Sequence, residues 1–482
     1  MSKLSRRDFI RGSMAVGAGM ALATPFSRAR GANDAIRLAV VGVGGQGSGH
    51  CKYFNAIDGV RLVAVCDPDQ KHIDRRVEDY KKQGQTIKGY MDVRELLEDK
   101  GIDVITSATP NHWHSLVTIW ACQAGKDVYI EKPVSHEIWE GRKMVEAARK
   151  YNRIVQTGTQ KRSDLGLVEA YKYIKEGKLG EIKWSRGFCY KARFEGTNGI
   201  VNGTNGPNPL PDSIDYNLWC GPAEMEPLRR ESLHYKWHWI WNSGNGDLGN
   251  QGIHEMDLAR WALGDPSQLA PGVVSFGGRF RVNDAGETAN TQVIYLDYKP
   301  APLIFEVRGL PVAKGRKDMP NYRGIRVGMV VQCEDGYFAG GAGGGWVYDN
   351  EGNRIKQFKG QGGEGHHQNF IKAVRSRKVS DLNADIEKGH YSSALCHMGN
   401  ISYRLGKKMP VSEVKNTISD NADLMDSFER MVEHLKVNEV DLEKEPITMG
   451  PMLTMNPQKE KFIGENSRLA NMFVKRNYRE PF

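Results

Sequence analysis

The sequence has no long apolar run beyond its N-terminal region, and this absence bears on whether the chain enters a membrane. Residues 13–26 are weakly apolar, but they are too few and too rich in glycine and alanine for a spanning helix, which needs about 20 strongly apolar residues. No later segment is long and apolar enough to cross a bilayer. We therefore predict that the mature chain is not stably inserted in a membrane.

Closely spaced cysteine pairs are also absent. The cysteines are scattered without a C-x-x-C motif, so the sequence indicates neither a zinc site nor a disulfide framework. One pair could still oxidise in an exported protein, but most of the thiols are expected to be small, buried apolar groups. No other set of metal-ligating residues has a characteristic spacing, and we predict no metal ion. The seven cysteines are Cys51, Cys66, Cys122, Cys189, Cys220, Cys333 and Cys396.

A block of positive charge is missing from the body of the chain. The formal net charge is +9, but residues 1–30 contribute +5 of it. The remaining basic residues are interleaved with acidic ones, as in the stretch RRVEDYKKQ at residues 75–83. Such interleaving argues against a surface dedicated to nucleic acid.

The N-terminal residues carry an export pattern instead. Arg6 and Arg7 stand together in SRRDFI, ahead of the weakly apolar stretch, and small residues near Ala29 offer a cleavage site. This order resembles the twin-arginine export signal, whose pathway carries proteins that have already folded. The resemblance implies the twin-arginine translocation machinery as a partner and a periplasmic location, with residues 1–32 as the signal peptide. The alternative is a disordered basic leader.

Residues 33–160 alternate short apolar runs with helix-like segments. The runs are rich in β-branched residues, which is typical of strands buried on both faces. Strand–helix alternation implies right-handed crossovers and a parallel sheet covered by helices on both sides. We predict an α/β fold here, a doubly wound Rossmann domain, with strands beginning at Ile36, Val60, Val104, Asp127 and Ile154.

The pattern changes in residues 161–425, where a loop rich in glycine, asparagine and proline at residues 196–222 precedes consecutive strand candidates separated by turns. This order predicts an α+β domain with a mostly antiparallel, open sheet. An open sheet face favours homo-oligomers that form through sheet packing. Residues 426–482 are charged and contain proline and methionine, so we expect a peripheral C-terminal extension.

A glycine motif follows the first predicted strand. Gly42, Gly44 and Gly47 form a G-x-G-x-x-G pattern that opens a helix, and Asp67 ends the next strand, 20 residues beyond Gly47. Glycine permits the tight turn, the close approach of a pyrophosphate and the packing of helix on strand, and the acid can accept hydrogen bonds from ribose hydroxyls. The order of elements predicts a dinucleotide site. The alternative is a glycine-rich turn in a fold that binds no nucleotide.

The acid at the second strand end bears on which dinucleotide is bound. Asp67 favours NAD over NADP, because a 2′-phosphate would meet a like charge. Lys71 and Arg75 lie close enough in the sequence to weaken that preference. We therefore predict NAD, with NADP as the less favoured cofactor.

Further motifs lie at predicted strand ends, where doubly wound sheets bind their ligands. They are TPNHWH at residues 109–114 and EKP at residues 131–133, followed by QTGTQKRS and GNGDLGNQGIHEMDLARW. With the glycine motif, these segments make the chain resemble the Gfo/Idh/MocA oxidoreductase family. The resemblance implies a Rossmann domain, a second domain with an open sheet, and hydride transfer between NAD(P) and a sugar or polyol.

The family pattern implies roles for individual residues. Lys132 matches the active-site lysine, and His254 matches the histidine that handles the alcohol proton. Oxidation of a secondary alcohol needs a proton acceptor and a donor that steadies developing oxyanion charge, and these two side chains can supply both. The alternatives are a surface lysine before a proline and a structural histidine on a helix face.

One position departs from the family pattern. Many members carry an aspartate four residues before the histidine, whereas this chain has Asn250. An amide can orient a substrate by hydrogen bonds but cannot take up a proton. The proton acceptor would then be His254, Lys132 or another acid. Asp257 lies one helical turn after His254 and could orient its imidazole or pair with Arg260.

The remaining site predictions concern cofactor and substrate contacts. Trp237, Trp239 and Trp241 alternate in a segment that we expect to be extended, so they would share one face and could stack on a sugar ring, or else pack in the core. His366 and His367 open a predicted helix, and one of them could reach the cleft. The further cofactor contacts are Gln46, Pro110, Asn111, His114, Glu131, Lys132 and Gln160. The substrate contacts are Lys132, Arg162, Trp239, Trp241, Asn250 and His254.

An export signal and a nicotinamide cofactor are difficult to reconcile in one protein, because free NAD is scarce outside the cytoplasm. We therefore expect a tightly bound cofactor that is loaded before export and recycled in place. The leading hypothesis is a dehydrogenase of a sugar, glycoside or polyol. The alternatives are an NAD-dependent glycosidase or lyase that oxidises its substrate transiently, and a non-catalytic sugar-binding protein.

Overall fold

A computed structural model describes residues 35–482 of the protein. The predicted signal peptide, residues 1–32, lies outside the described residues. Within residues 35–482, no helix combines the length and the apolar character that crossing a membrane requires.

The first sheet is the predicted doubly wound one. Its six strands are all parallel and are arranged in the order β3-β2-β1-β4-β5-β6. They are β1 (Ile36–Val41), β2 (Val60–Cys66), β3 (Lys88–Tyr90), β4 (Val104–Ser107), β5 (Asp127–Ile130) and β6 (Val155–Thr157). The helices that connect them are α1 (Gln46–Asn55), α2 (Gln70–Lys81), α3 (Val93–Glu98), α4 (Asn111–Gln123) and α5 (Ile138–Lys150).

Burial on both faces explains why most positions of these strands are apolar. In β1, Ala39 and Val41 pack into one hydrophobic cluster, whereas Leu38 and Val40 pack into another. Successive side chains of a strand point to opposite faces, so both sets are apolar, and the exceptions, such as the exposed Arg37 and Arg61, lie near the strand starts. This pattern made five of the six strands predictable, and the sixth, β3, has only three residues and no apolar run.

The second sheet has twelve strands and is mostly antiparallel, with the parallel pair β7 and β10 inside it. The fold class predicted from the sequence is therefore confirmed. Its first strands are β7 (Ile182–Tyr190), β8 (Gly272–Gly278), β9 (Thr291–Leu296), β10 (Leu303–Arg308), β11 (Val327–Cys333) and β12 (Tyr337–Gly341). Its later strands are β13 (Gly344–Tyr348), β14 (Arg354–Lys359), β15 (Lys407–Met409), β16 (Ile447–Met449), β17 (Leu453–Asn456) and β18 (Lys461–Ile463).

Helices cover both faces of this sheet. On one face, α6 (Leu165–Lys175), α8 (Ile253–Ala262) and α10 (Ile386–Arg404) contribute to the largest hydrophobic cluster. On the other face, α11 (Val411–Thr417) and α12 (Ala422–Val437) pack against β8, β9 and β10. The remaining helices are α7 (Tyr216–Cys220), α9 (His366–Ser376) and α13 (Ser467–Met472).

Late segments of the chain complete the core of the first sheet. Phe370 of α9 joins the cluster on one face of that sheet, and Ile386 of α10 and Phe482 join the cluster on the other face. Residues 426–482, which we expected to be peripheral, also pair β16 with β8 of the second sheet. Such short segments carry no sequence periodicity that would have revealed these contacts.

Several histidines are buried in the core as neutral groups, and this predicts how stability depends on pH. Burial lowers the pKa of His112, His136 and His397 to about 3. In the unfolded chain each imidazole has a pKa of about 6.5, so the unfolded state binds more protons below that pH. The stabilising contribution is complete above pH 6.5 and is lost as the pH falls towards 3, by up to about 1.4 kcal/mol per pH unit for each group.

We therefore expect these histidines to lower the melting temperature by several degrees between pH 6.5 and pH 4.5. Calorimetry across this range measures the effect. His397→Gln, which removes one of the three imidazoles, should give a shallower decline. An unchanged melting temperature down to pH 4.5 would contradict the prediction.

Candidate active site

A cleft with a volume of about 540 Å³ lies at the carboxyl ends of the first sheet's strands, beside the start of α8. It brings together most of the site residues predicted from the sequence. Six of them lie on the cofactor loop and the following strand ends, namely Gly42, Gly44, Gln46, Asp67, Pro110 and Asn111. The other six are His114, Glu131, Lys132, Gln160, Asn250 and His254.

The glycine loop has the backbone that its motif predicts. Gly42 has a φ of +78°, and a Cβ atom there would lie 2.9 Å from the backbone of Ala108. A Cβ atom at Gly47 would lie only 1.7 Å from the carbonyl oxygen of Gly42, so α1 can pack this close only with glycine. Gly45 precedes α1 and offers no side chain to cap it. The first N–H groups of α1 are therefore free of a side-chain cap and suited to bind an anion.

Asp67 is held rigidly at the end of β2. Its Oδ2 accepts a hydrogen bond of 2.8 Å from the backbone N–H of Val43, and its Oδ1 accepts one of 3.0 Å from that of Asp69. The carboxylate thus lies beside the glycine loop on the wall of the cleft. Lys71 and Arg75, which we considered as possible partners of a phosphate, are both exposed.

The start of α4 forms the next part of the cleft wall. Asn111 is the first residue of α4, and its Nδ2 donates to Oδ1 of Asn245 at 2.8 Å. The ring nitrogens of His114 lie 2.6 Å and 2.8 Å from the carbonyl oxygens of Pro133 and Thr109. His114 therefore ties the ends of β4 and β5 together, while it also lines the cleft.

Glu131 carries a negative charge at the end of β5. Burial opposes its ionisation, but the hydrogen bond from His50 and the charges around it lower the pKa of Glu131 to about 2. Nε2 of His50 lies 3.1 Å from Oε1 of Glu131, and Nδ1 of His50 lies 3.2 Å from Oγ1 of Thr106. We did not predict this role for His50, because its partner lies 81 residues away in the sequence.

Lys132 and His254 come from the two halves of the chain and meet in the cleft. Nζ of Lys132 donates to the backbone oxygen of Asn250 at 3.0 Å, and burial lowers the pKa of the lysine. Burial, followed by the charge of Lys132, also holds the pKa of His254 well below its usual value. His254 is 7 % exposed, and its Nδ1 has no hydrogen-bond partner among the described residues. The cleft is therefore lined by both a neutral imidazole and the side chain of Lys132.

A turn of π-helix places these groups. Leu248–Gly252 form this turn directly before α8, and Asn250 within it lines the cleft. π-helical turns are uncommon and occur frequently at functional sites. The turn points the carbonyl group of Asn250 at Lys132 and starts α8 one residue before His254.

Comparison with known proteins agrees with this geometry. The profile of an oxidoreductase family with an NAD-binding Rossmann fold matches residues 36–159, and the C-terminal α/β domain of the same family matches residues 172–300. The chain belongs to the Gfo/Idh/MocA oxidoreductase family. A twin-arginine signal sequence matches residues 3–23 and indicates export across the cytoplasmic membrane.

Two curated relatives in this family bear on the chemistry. Inositol 2-dehydrogenase of Salmonella typhimurium is 31 % identical over 159 residues, which are 33 % of this chain and 46 % of the relative. A glycosyl hydrolase family 109 protein of Shewanella pealeana is 27 % identical over 206 residues, 37 % of this chain and 44 % of the relative. The chain thus spans about half the length of the curated relatives it matches.

Solved structures of other proteins share the fold at low identity. The WlbA dehydrogenase from Bordetella pertussis, in complex with NADH and UDP-GlcNAcA, has a TM-score of 0.54 and 20 % identity, covering 75 % of this chain and 94 % of that one. An NAD-binding protein from Listeria innocua has a TM-score of 0.52 and 18 % identity, covering 75 % and 93 %. At these identities, both likenesses show a shared fold alone.

The tryptophan segment differs from its prediction. Lys236–Trp239 form a 3₁₀ turn, so the expected extended segment with three tryptophans on one face was wrong. A 3₁₀ turn aligns every third residue rather than every second. Trp237 lines the cleft, whereas Trp239 is fully buried and donates its indole N–H to Asp247. Trp241 lies under the guanidinium group of Arg404, outside the cleft lining.

Arg162 also lies outside the cleft lining, contrary to its predicted contact with substrate. Its guanidinium is buried and makes paired hydrogen bonds with Asp257 at 2.8–3.0 Å and with Asp265 at 2.9–3.0 Å. Asp257 therefore binds neither His254 nor Arg260, the two partners that we considered. A buried guanidinium needs such carboxylate partners, and the charge pattern of the sequence does not reveal which ones they are.

We expect Arg162→Met to destabilise the fold by about 3–5 kcal/mol, because it leaves the carboxylate of Asp257 buried without its main partner. The KM for substrate should stay within about twofold in the protein that folds. Denaturant unfolding and steady-state kinetics measure the two quantities. Lys172→Met, which removes an exposed cation from the neighbouring helix α6, is the matched control. A large rise in KM without a loss of stability would restore the original prediction.

His366 and His367, the first two residues of α9, have structural roles. His366 lies between Oγ of Ser163 at 2.6 Å and the carbonyl oxygen of Thr157 at 2.9 Å. His367 packs against the rings of Tyr53 and Phe54. Neither histidine lines the cleft.

One wall of the cleft comes from residues 210–238, here called the strap. Ser213 accepts a 2.8 Å hydrogen bond from the backbone N–H of Gln70, and Asp215 donates one of 2.8 Å to Pro68, so the strap is tied to the turn after β2. Six of its residues line the cleft: Leu218, Trp219, His234, Tyr235, Trp237 and His238. The sequence indicated part of the strap only as a loop, because glycine and proline content does not reveal where a loop docks.

Proposed function

We propose that the protein is an exported, NAD-dependent oxidoreductase that oxidises a secondary alcohol of a sugar, glycoside or polyol to a ketone. The observation that carries the proposal is that Lys132 and His254, from the two halves of the chain, line the same cleft as the glycine loop. The curated dehydrogenase relatives act on inositol by name, which supports a polyol or sugar as the substrate class.

The residues of the cleft fit a nicotinamide dinucleotide, which when bound supplies the hydride acceptor. A Cβ atom at Gly42 or Gly47 would fill the loop, so both positions keep room for a close approach to the α1 N-terminus. Asp67 presents a carboxylate next to that loop, which favours ribose hydroxyls over a 2′-phosphate and hence NAD over NADP.

Each side chain has a distinct task in this proposal. The neutral imidazole of His254 accepts the proton of the substrate hydroxyl, since its depressed pKa leaves a free lone pair at neutral pH. The ammonium of Lys132 stabilises the developing charge on the same oxygen. Asn250 can orient the substrate by hydrogen bonds from its amide, and Glu131 keeps a negative charge beside the lysine.

The strap supports a tightly bound cofactor. It contributes aromatic and imidazole side chains to the cleft, and it is anchored to the turn next to Asp67. A dinucleotide bound in the cleft would contact the strap, and this contact would slow its release. Together with the export signal, this favours NAD that is loaded in the cytoplasm and reduced by the substrate in the periplasm. It would be reoxidised in place by passing its hydride to a second, ketone-bearing sugar or to another external acceptor. A homo-oligomer remains part of the proposal and can be tested by light scattering.

The family 109 glycosyl hydrolase relatives favour a second candidate function. In that mode, transient oxidation of a ring carbon to a ketone acidifies the neighbouring C–H bond, and the glycosidic group leaves as an alcohol to give an unsaturated ketone. In a glycosidase, water then adds to the double bond, and the hydride returns from the cofactor to the ketone; a lyase omits the addition of water. The same lysine and imidazole would serve both modes. They differ in outcome, because only a dehydrogenase gives net oxidation of the sugar.

The test uses the exported mature protein. Near-ultraviolet absorbance of its bound nucleotide is followed while inositols, free sugars and glycosides are added in turn. Reduction of the nucleotide by one substrate class, with a ketone product, is the expected result. Glycoside cleavage without net reduction would instead favour the second function. Bound sugar without either reaction would leave only a sugar-binding protein, and absence of nucleotide would overturn the proposal of a tightly held cofactor.

A further inference from the structure

Three side chains that the proposed reaction does not use converge at the edge of the cleft. Asp69 and His72 lie at the start of α2, and His234 belongs to the strap. One ligand atom from each lies within 4.8 Å of the other two. Nε2 of His234 is 3.1 Å from Oδ2 of Asp69, and Nε2 of His72 is 3.8 Å from that same oxygen.

These separations suit a small cation. A tetrahedral ion with bonds of about 2.0–2.2 Å to nitrogen and oxygen holds its ligand atoms about 3.3–3.6 Å apart. The Asp69–His234 and Asp69–His72 pairs, at 3.1 Å and 3.8 Å, lie on either side of that range, and the ligand atoms of the two histidines lie within 4.8 Å of each other. Rotation of the two imidazoles towards each other would bring all three ligand atoms to one centre.

The groups behind the ligand atoms orient them. Nδ1 of His72 lies 3.3 Å from Oδ2 of Asp67, a charge contact without hydrogen-bond geometry, and Nε2 is the ring nitrogen on the side of Asp69. Ligating histidines in metal sites usually have such a carboxylate on their other nitrogen. Oδ1 of Asp69 accepts the backbone N–H of Lys71 at 3.1 Å, which leaves Oδ2 for the cluster.

We propose that Asp69, His72 and His234 bind one divalent transition-metal ion of the Zn²⁺ class. Two imidazoles and one carboxylate form a ligand set that such ions prefer to that of Mg²⁺ or Ca²⁺. The side chains of His72 and His234 are 25 % and 42 % exposed, so water completes the coordination. The ion binds the strap to the turn after β2 and so closes the cleft next to Asp67.

The site does not depend on the proposed reaction, because ion binding can be measured without substrate or turnover. If the cluster binds no ion, its role is structural: the hydrogen bond between His234 and Asp69 attaches the strap to the start of α2. The two possibilities predict different results when a metal is added.

The experiment titrates Zn²⁺ into untagged, full-length mature protein that has been treated with chelator, and follows the heat of binding. Co²⁺ is then added as a spectroscopic probe, because its visible absorption reports nitrogen ligation. We expect one ion per chain in the wild type. His72→Gln and His234→Gln should each weaken binding at least tenfold.

The control variants separate a metal ligand from a structural effect. Asp69→Asn can still cap α2 through its side-chain oxygen but loses the anionic ligand, so it should weaken binding by a similar factor without a loss of helix. Asp74→Asn removes an exposed carboxylate from the same helix and should leave affinity unchanged. Absence of Zn²⁺ binding in the wild type, or equal affinity in the wild type and both histidine variants, would overturn the proposal.

Discussion

Lys132→Met should lower the turnover number for oxidation of the alcohol at least about a hundredfold while leaving the cofactor bound. Lys132 is a cation that lines the cleft. Its Nζ lies 3.0 Å from the backbone oxygen of Asn250, in the π-helical turn before α8. Methionine keeps most of the volume of the side chain and removes only the charge. The developing oxyanion then loses its stabilising partner, whereas the glycine loop that holds the dinucleotide is untouched.

Two measurements check this result, the turnover number and the nucleotide content of the purified protein. The matched control is Lys191→Met, because Lys191 is exposed and its Nζ donates to Gln251 in the same π-helical turn. We expect that variant to keep most of its activity. Turnover of the Lys132 variant within a few fold of the wild type would remove the lysine from the mechanism.

Gly47→Ala should yield protein that retains little or no dinucleotide. The new Cβ atom would lie 1.7 Å from the carbonyl oxygen of Gly42, which is backbone and cannot rotate away. The start of α1 must therefore shift, and overpacking of this kind costs about 1–3 kcal/mol of stability. The same shift displaces the N–H groups that would bind the pyrophosphate, so affinity for the dinucleotide should fall at least tenfold.

The control for this prediction lies two residues away in the same loop. Gly45→Ala introduces the same methyl group at a position where nothing lies within 4 Å. The backbone there, with φ −92° and ψ −100°, lies outside the usual α and β regions, so a small loss of stability is expected, but α1 need not move. This variant should keep its nucleotide. Calorimetry and the nucleotide content after gel filtration compare the two proteins. Equal nucleotide content in both would contradict the role given to the loop.

The parts of the structure that the sequence predicted best are those defined by neighbours along the chain. Strand, glycine loop, helix and acid follow one another within 32 residues, from Ile36 to Asp67, and backbone sterics fix their arrangement. The carboxyl ends of parallel strands meet at one edge, so Glu131 and Lys132 could be expected in the same cleft as Gly42. Lys132 and His254 could be paired only through the family resemblance.

The parts that escaped prediction depend on contacts between distant segments. Arg162 and Asp257 form a buried ion pair across 95 residues, and nothing in either local sequence indicates the other. The same holds for His50 with Glu131 and for the docking of the strap on the turn after β2. Trp239 and Trp241 were misassigned for a different reason, because a 3₁₀ turn of four residues is too short to leave a periodic signature.

The core of the first sheet, which late segments of the chain complete, constrains when the protein can fold. Phe370 and Ile386 complete the packing around strands that begin at Ile36, and Oγ of Ser393 accepts the backbone N–H of Val134 across 259 residues. Contacts of such long range slow folding, because a large loop must close before they form. While it is being synthesised, the chain therefore exposes its export signal well before the nucleotide-binding half can reach its native packing. An export route that accepts only folded proteins would then give this chain the time to finish folding and to take up its dinucleotide.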